Sequence, residues 1–198
     1  MFLKNEKSKH IIIVIILLIF SSNANSISND KKKVLNYLNS LKDFSASFLQ
    51  TDGKNLSEGK LYLGNKRVRA EYFSPEKILI ILAEDKAMYY NYELNEDEFF
   101  NPKDTNAWFF YDIFRNSDFF ENSEIKLMNN ELLLEKKGID NEQQNFLLRV
   151  YFEQRPLVLR AVEVIVNDDL LKLSIYNHSY NEEFDKNLFK LINPKFLN

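Results

Sequence analysis

The sequence predicts a mainly β protein, a single large antiparallel sheet curled around an apolar interior. Three observations predict it. From Phe44 onward, apolar residues recur with a period of two in segment after segment, the spacing of half-buried strands. Asn, Gly, Pro and Asp separate these segments at hairpin distances. One stretch, Trp108 to Phe120, breaks the alternation with consecutive aromatics, and short helices suit it better than a strand.

The N-terminus precedes this pattern. Lys4, Lys7 and Lys9 form a basic region, Ile11 to Phe20 an unbroken apolar run, and Ser22-Asn23-Ala24 puts small residues where a signal peptidase cuts. Ten apolar residues fall well short of the roughly 20 that a helix needs to span a bilayer. Residues 1–24 therefore read as a secretion signal removed after Ala24, with an uncleaved signal anchor as the alternative, and 25–198 as one domain of 174 residues without repeats or linkers.

The elements follow in order. Val34, Leu38 and Leu41 recur at helical spacing, with Leu35 and Tyr37 beside them, predicting an amphipathic helix over about 29–42. Strands are predicted around Phe44–Phe48, around Leu61 and Leu63 after Gly59, and through Val68, Ala70 and Tyr72. Two more are expected over Ile78–Ala83, apolar on both sides, and over Ala87–Tyr92. The acidic run Glu93 to Glu98 reads as a solvated hairpin tip, since it lacks the ligand spacing of a calcium loop. After the aromatic stretch, strands are predicted near 123–128, 131–137, 145–153, 157–166 and 170–177. Asn129-Asn130, Gly138, Pro156 and Asn167-Asp168 are the turn signals between them. About ten strands and a few helices result.

Composition narrows the function. The mature chain carries a net charge of −5, and its one basic run, Lys31 to Lys33, opens a helix, so no basic stripe invites nucleic acid. No cysteine occurs, hence neither a disulfide framework nor an N-terminal lipid attachment site. His10 lies in the signal, which leaves His178 alone near a strand end, with no serine elbow or cysteine to partner it. One histidine and no cysteine make no metal cluster, and four glycines make no phosphate loop. The chain reads as a non-enzyme without cofactor or metal. The Asn-x-Ser sequences at Asn55 and Asn177 read as coincidental. With 17 Phe and 10 Tyr, the chain has far more aromatic surface than catalysis asks for, which suits a carrier of something greasy.

Five segments, in order, carry a family resemblance over nearly the whole mature chain. Leu41 to Gln50, ending Phe48-Leu49-Gln50, resembles the helix-then-strand opening of the outer-membrane lipoprotein carrier protein family, LolA. Gly59-Lys60-Leu61-Tyr62-Leu63 is similar to that family's Gly-x-Leu-x-Leu strand. Arg69-Ala70-Glu71-Tyr72-Phe73-Ser74-Pro75 and Asp85-Lys86-Ala87-Met88-Tyr89-Tyr90-Asn91-Tyr92 resemble its next segments, and Leu188-Phe189-Lys190-Leu191-Ile192-Asn193-Pro194 its closing one. The chain departs from the pattern too. Where the family has Arg-Pro after the second strand, Gly64-Asn65-Lys66 stands here; Lys86 replaces the hairpin Gly, and Ala70 an aromatic. The resemblance is to a divergent member.

The resemblance implies an incomplete β-barrel whose apolar concave face is covered by helices, working as a monomer in the periplasm of a Gram-negative bacterium. Its implied cargo is acylated lipoproteins, taken from an inner-membrane lipoprotein-releasing ABC transporter and passed to an outer-membrane lipoprotein receptor. A lipid-sensing or other lipid-binding periplasmic module of the same fold is the alternative, and the lipidated receptor itself is excluded by the missing cysteine. The inward positions expected to form the lipid-binding cavity are Phe48, Leu61, Leu63, Val68, Tyr72 and Ile80 on the first strands, with Tyr90 and Tyr92 on the next. The covering helix adds Trp108, Phe110 and Phe114; the later strands add Leu148, Val150, Val164, Leu173 and Ile175. Apolar residues at such positions are more often plain core than ligand wall. The resemblance implies that the Arg of the missing Arg-Pro holds the empty cavity shut; Lys66, Arg67 and Arg69, near the expected mouth, are candidates to replace it or to meet a partner.

Overall fold

The computed structural model describes residues 28–197. The stretch read as a secretion signal, residues 1–24, lies outside them. Residues 28–40 form a helix, α1, that presents Val34 and Leu38 to the core, followed by the buried Leu41. Eleven strands follow: β1 (Phe44–Thr51), β2 (Leu56–Gly64), β3 (Arg67–Ser74), β4 (Ile78–Leu82), β5 (Ala87–Asn91), β6 (Glu96–Phe100), β7 (Glu124–Met128), β8 (Glu131–Ile139), β9 (Asn145–Gln154), β10 (Leu157–Val166) and β11 (Asp169–Tyr180). The aromatic stretch is a nine-residue helix, α2 (Ala107–Arg115), flanked by single 3-10 turns at Pro102–Asp104 and Ser117–Phe120.

All strands join one antiparallel sheet in the order β6-β5-β4-β3-β2-β1-β11-β10-β9-β8-β7, left open between β6 and β7. The sheet must curl. Strands lie about 4.8 Å apart, so β3 and β9, five positions apart in this order, would be separated by about 24 Å in a flat sheet. Yet α2 reaches both. It packs Ala107 and Phe110 beside Val68 and Ala70 of β3, and Phe109 lies edge-on to Phe146 of β9 at 4.9 Å. A helix about 10–12 Å across can touch both only inside a half-barrel. The core sits on that concave face: Phe44 and Phe48 of β1, Leu61 and Leu63 of β2, and Leu148, Val150 and Phe152 of β9 are among its members.

Turn chemistry sets the registers. Asn65-Lys66, Asn129-Asn130 and Asn167-Asp168 all have positive φ, the conformation that two-residue hairpins need to match strand twist. Two expectations fail here. Gly138 is no turn; it lies within β8, and the turn is made by Asp140, whose carboxylate accepts from Glu142 N and Gln144 N at 2.9 and 2.8 Å. Glu93 to Glu98 is not all hairpin tip either, because Glu96 onward forms the edge strand β6. An edge strand whose first four residues are all exposed has no need of apolar alternation, so its acidic sequence looked like loop.

The convex face is covered on one side. Residues 181–197 cross it without strands, setting Phe184 and Phe189 edge-on to each other at 5.4 Å and packing Leu191 against a second buried cluster of Leu79, Ile81, Met88 and Tyr90. Gly64 lies directly beneath: a Cβ there would come within 2.6 Å of the Phe189 ring. On the other half, the convex face carries a ladder of charge across the strands. Lys126 and Arg149 both meet the buried Glu135, at 2.8 and 3.1 Å, and Lys172 meets Glu163 at 2.8 Å. Among the described residues no helix is long and apolar enough to cross a membrane.

Candidate functional site

Where the helix α2 leaves the sheet, a cavity of about 190 Å³ remains. Its floor is Phe48 and Gln50 of β1, its walls Leu61, Val68, Ala70, Tyr72, Ile80, Leu82, Leu171 and Leu173, and its roof Asn106, Ala107 and Phe110 at the start of α2. The lining side chains carry no formal charge. Two of its polar groups meet, the Tyr72 hydroxyl donating to the Gln50 amide oxygen at 2.7 Å. Burial pushes the Tyr72 phenol up to about 12. Phe48 meets Tyr72 edge-on at 5.1 Å, and its ring occupies the space that a Cβ on Gly59 would need, at 2.5 Å. Gly59 thus lets the sheet close around Phe48.

Ala70 is the reason for the space. Its neighbours on this face are large, and a methyl group there leaves a void that an aromatic would fill. An apolar cavity of about 150 Å³ suffices for benzene. At 190 Å³, this one takes a group of that order and cannot enclose a long acyl chain unless α2 moves.

Arg115, the last residue of α2, ties that helix down. Its guanidinium donates from Nε and Nη2 to the carbonyl of Arg67 in the β2–β3 hairpin, at 3.3 and 3.1 Å. From Nη1 it donates to the carbonyl of Leu41 at the end of α1, at 3.1 Å. Among the described residues it has no carboxylate within ion-pair distance, and burial draws its pKa down from the ordinary arginine value. At the other end of the roof, the Asn141 side chain donates to Lys103 O at 3.1 Å. The roof's packing centres on Trp108, stacked on Phe109 with centroids 3.9 Å apart and edge-on to Phe119 and Phe146. α1 is anchored separately: Lys31 donates to Glu121 O and Ser123 O, and the Tyr37 hydroxyl shares a hydrogen bond with Tyr180 and accepts from Leu159 N.

The expected inward residues divide into three groups. Phe48, Leu61, Val68, Tyr72, Ile80, Phe110 and Leu173 line the cavity. Leu63, Phe114, Leu148, Val150, Val164 and Ile175 are buried in the surrounding concave core, and Trp108 is packed against it. Tyr90 and Tyr92 are on the wrong side. Tyr90 belongs to the convex cluster and Tyr92 stands edge-on to it at 4.8 Å; on β5 the inward positions are Ala87, Tyr89 and Asn91, paired with Leu82, Ile80 and Ile78.

The gate candidates are also placed otherwise than expected. The Arg67 and Arg69 side chains run to the convex face, where they donate to Phe189 O and Leu188 O and hold the C-terminal segment; Arg69 also binds Glu71 through Nε at 2.8 Å. Arg67 does serve the roof, but through its backbone carbonyl. Lys66 is exposed in the hairpin turn. Sequence reasoning passed over Arg115, because an arginine that binds only carbonyls leaves no pairing signature. His178 is half-buried on β11 with Nε2 2.7 Å from Leu159 O, and burial lowers its pKa.

No protein-family model matches the chain, and no curated protein does. Solved structures do. An uncharacterized conserved protein from Thermus thermophilus aligns with a TM-score of 0.53 at 10% identity, over 83% of this chain and 96% of that one. The likeness is one of fold. MucB aligns with a TM-score of 0.51 at 6% identity over 82% of this chain and 62% of its own, so this chain spans less than two thirds of MucB. The MucA/MucB complex of Pseudomonas aeruginosa aligns at 0.47 and 7% identity, over 81% of this chain and 59% of that one.

Proposed function

We propose that this protein is a periplasmic carrier that shields the acyl chains of lipoproteins between the inner and outer membranes. The observation that carries the reading is the uncharged cavity inside an open half-barrel, roofed by a short helix that a single arginine ties to the walls. Each methylene removed from water is worth about 0.8 kcal/mol, so transferred chains need such a shield. Lifting α2 would join the cavity to the aromatic core beneath Trp108 and Phe109, which offers length for a chain that the closed form lacks. The family resemblance adds the direction of transfer: cargo from an ABC transporter, delivered to a receptor in the outer membrane.

The test is transfer. Inner-membrane vesicles carrying a triacylated lipoprotein are given ATP and the mature protein, and the soluble fraction is examined by mass spectrometry. A soluble complex of carrier and lipoprotein is expected, and its absence from a folded, monomeric preparation refutes the carrier reading. The likeness in fold to MucB, whose partner in a solved complex is MucA, favours one second reading, a lipid-responsive module that binds a partner protein. Phospholipid retained without lipoprotein would select it.

A further inference from the structure

Among the described residues the sheet ends on β6, whose outer side pairs with no other described strand. Around this edge several large apolar side chains stand in solvent. Leu94, 65% exposed, is in the β5–β6 hairpin, and Phe99, also exposed, faces outward on β6 opposite Met88. The C-terminal segment brings two more. Asn193 donates to the Asp97 carboxylate at 2.7 Å, which sets Ile192 and the 79% exposed Phe196 beside the same edge. Exposed apolar groups gathered at one place on a small protein mark a contact surface.

The charge around them chooses the partner. Glu93, Glu96, Asp97 and Glu98 put four carboxylates within six residues, and none is in an ion pair among the described residues. A second copy pairing edge to edge would set these carboxylates against each other. An anionic membrane surface would repel them as well. A basic strand meets neither obstacle. Its backbone would complete the hydrogen bonds that β6 leaves open, and its cationic and apolar side chains would match the acids and the exposed patch.

We propose that β6 is a docking edge that takes an extended, basic and apolar segment of a partner protein as a further strand. The acidic sequence then has two effects: it prevents the edge from pairing with itself and leaves it open to a partner of opposite charge. The site lies at the margin of the sheet, two strands from the cavity wall that β4 supplies.

The probe is a nine-residue peptide of alternating lysine and valine, with alternating glutamate and valine as control, followed by fluorescence anisotropy and by hydrogen exchange of the β6 amides. The basic peptide is expected to bind, to protect those amides, and to weaken about tenfold as salt rises from about 0.05 to 0.5 M. Glu96→Lys with Glu98→Lys is expected to reduce affinity about tenfold or more, whereas Glu124→Lys with Glu131→Lys, at the opposite margin, leaves it unchanged. N-methylation of alternate peptide nitrogens abolishes binding if the peptide adds as a strand. No binding, equal loss at both margins, or binding without protection of β6 overturns the proposal. Because the peptide carries no lipid, failure here leaves the carrier reading standing, and failure of lipoprotein transfer leaves this one.

Discussion

Replacing Arg115 with Met keeps the apolar stem of the side chain and removes its donors, so it tests whether this residue holds α2 closed. Three of its hydrogen bonds bridge to other elements, but two share the Arg67 carbonyl, leaving two independent contacts, to Arg67 O and Leu41 O. Hydrogen bonds involving a charged group contribute about 1.5–3 kcal/mol each. Desolvation of a guanidinium without a carboxylate partner offsets part of this, which leaves about 3 kcal/mol in favour of the closed form. That is roughly a hundredfold in the ratio of open to closed. The affinity of an apolar ligand scales with the fraction of protein competent to bind it, so a fluorescent fatty acid should bind up to about a hundredfold more tightly to the variant. Trp108, the only tryptophan, lies on α2 itself and reports its movement through acrylamide quenching. Arg115→Lys, with a single ammonium, should fall between the two. Unchanged ligand affinity together with unchanged Trp108 quenching, in a variant that melts cooperatively, would refute the role given to Arg115.

Three further outcomes are expected. Ala70→Phe fills the cavity, raising stability by about 0.5–2 kcal/mol while lowering fatty-acid affinity about tenfold or more; thermal melting and titration measure the two. Gly64→Ala drives a methyl group into Phe189 and is expected to cost about 1–3 kcal/mol, with faster proteolysis of residues 181–197; a second change, Phe189→Leu, should relieve it. Glu135 is held below its ordinary pKa by its hydrogen bond to Lys126, helped by Arg149 and opposed by burial. Its folded pKa is depressed, so its stabilisation is present above the unfolded value of about 4.3 and is lost as pH falls through the folded one. Glu135→Gln should therefore destabilise at pH 7 and flatten the acid limb of a urea-midpoint profile; an unchanged acid limb would contradict the assignment.

Much of the sheet was legible because its hairpins announce themselves. Asn129-Asn130 and Asn167-Asp168 are residues that tolerate positive φ, and the structure uses both pairs that way. The concave side of β1 to β3 could be read from strict alternation, and Phe48, Leu61, Val68 and Tyr72 all face the cavity. Ala70 was visible as a departure from the pattern the sequence resembles, though its consequence, a void, depends on the sizes of neighbours from five other elements. What alternation could not supply was Arg115, whose partners are the carbonyls of Arg67 and Leu41, 48 and 74 positions away. Backbone acceptors are the same in every residue, so sequence carries no trace of which one a guanidinium meets.

The misplacement of Tyr90 and Tyr92 has a different cause. A period-two pattern identifies two faces but assigns neither to the core unless one is polar. In β4 and β5 neither is: Ile80 and Leu82 face the concave core, and Leu79, Ile81, Met88 and Tyr90 face the C-terminal segment. The run Ile78–Ala83 already looked apolar on both sides, which in an antiparallel sheet means that something covers both. The cover is the closing Leu188-Phe189-x-Leu191 segment, held by the side chains of Arg67 and Arg69. The two arginines expected at the gate and the two tyrosines expected in the cavity are thus explained by a single fact, a second apolar surface on the convex side. Gly59 offers the way to choose the face from within the sheet: its missing Cβ gives room to the ring of Phe48, so it must lie on the concave side. Counting from Gly59 across the pairs Tyr72, Ile78 and Asn91 puts the even-numbered residues of β5 outside.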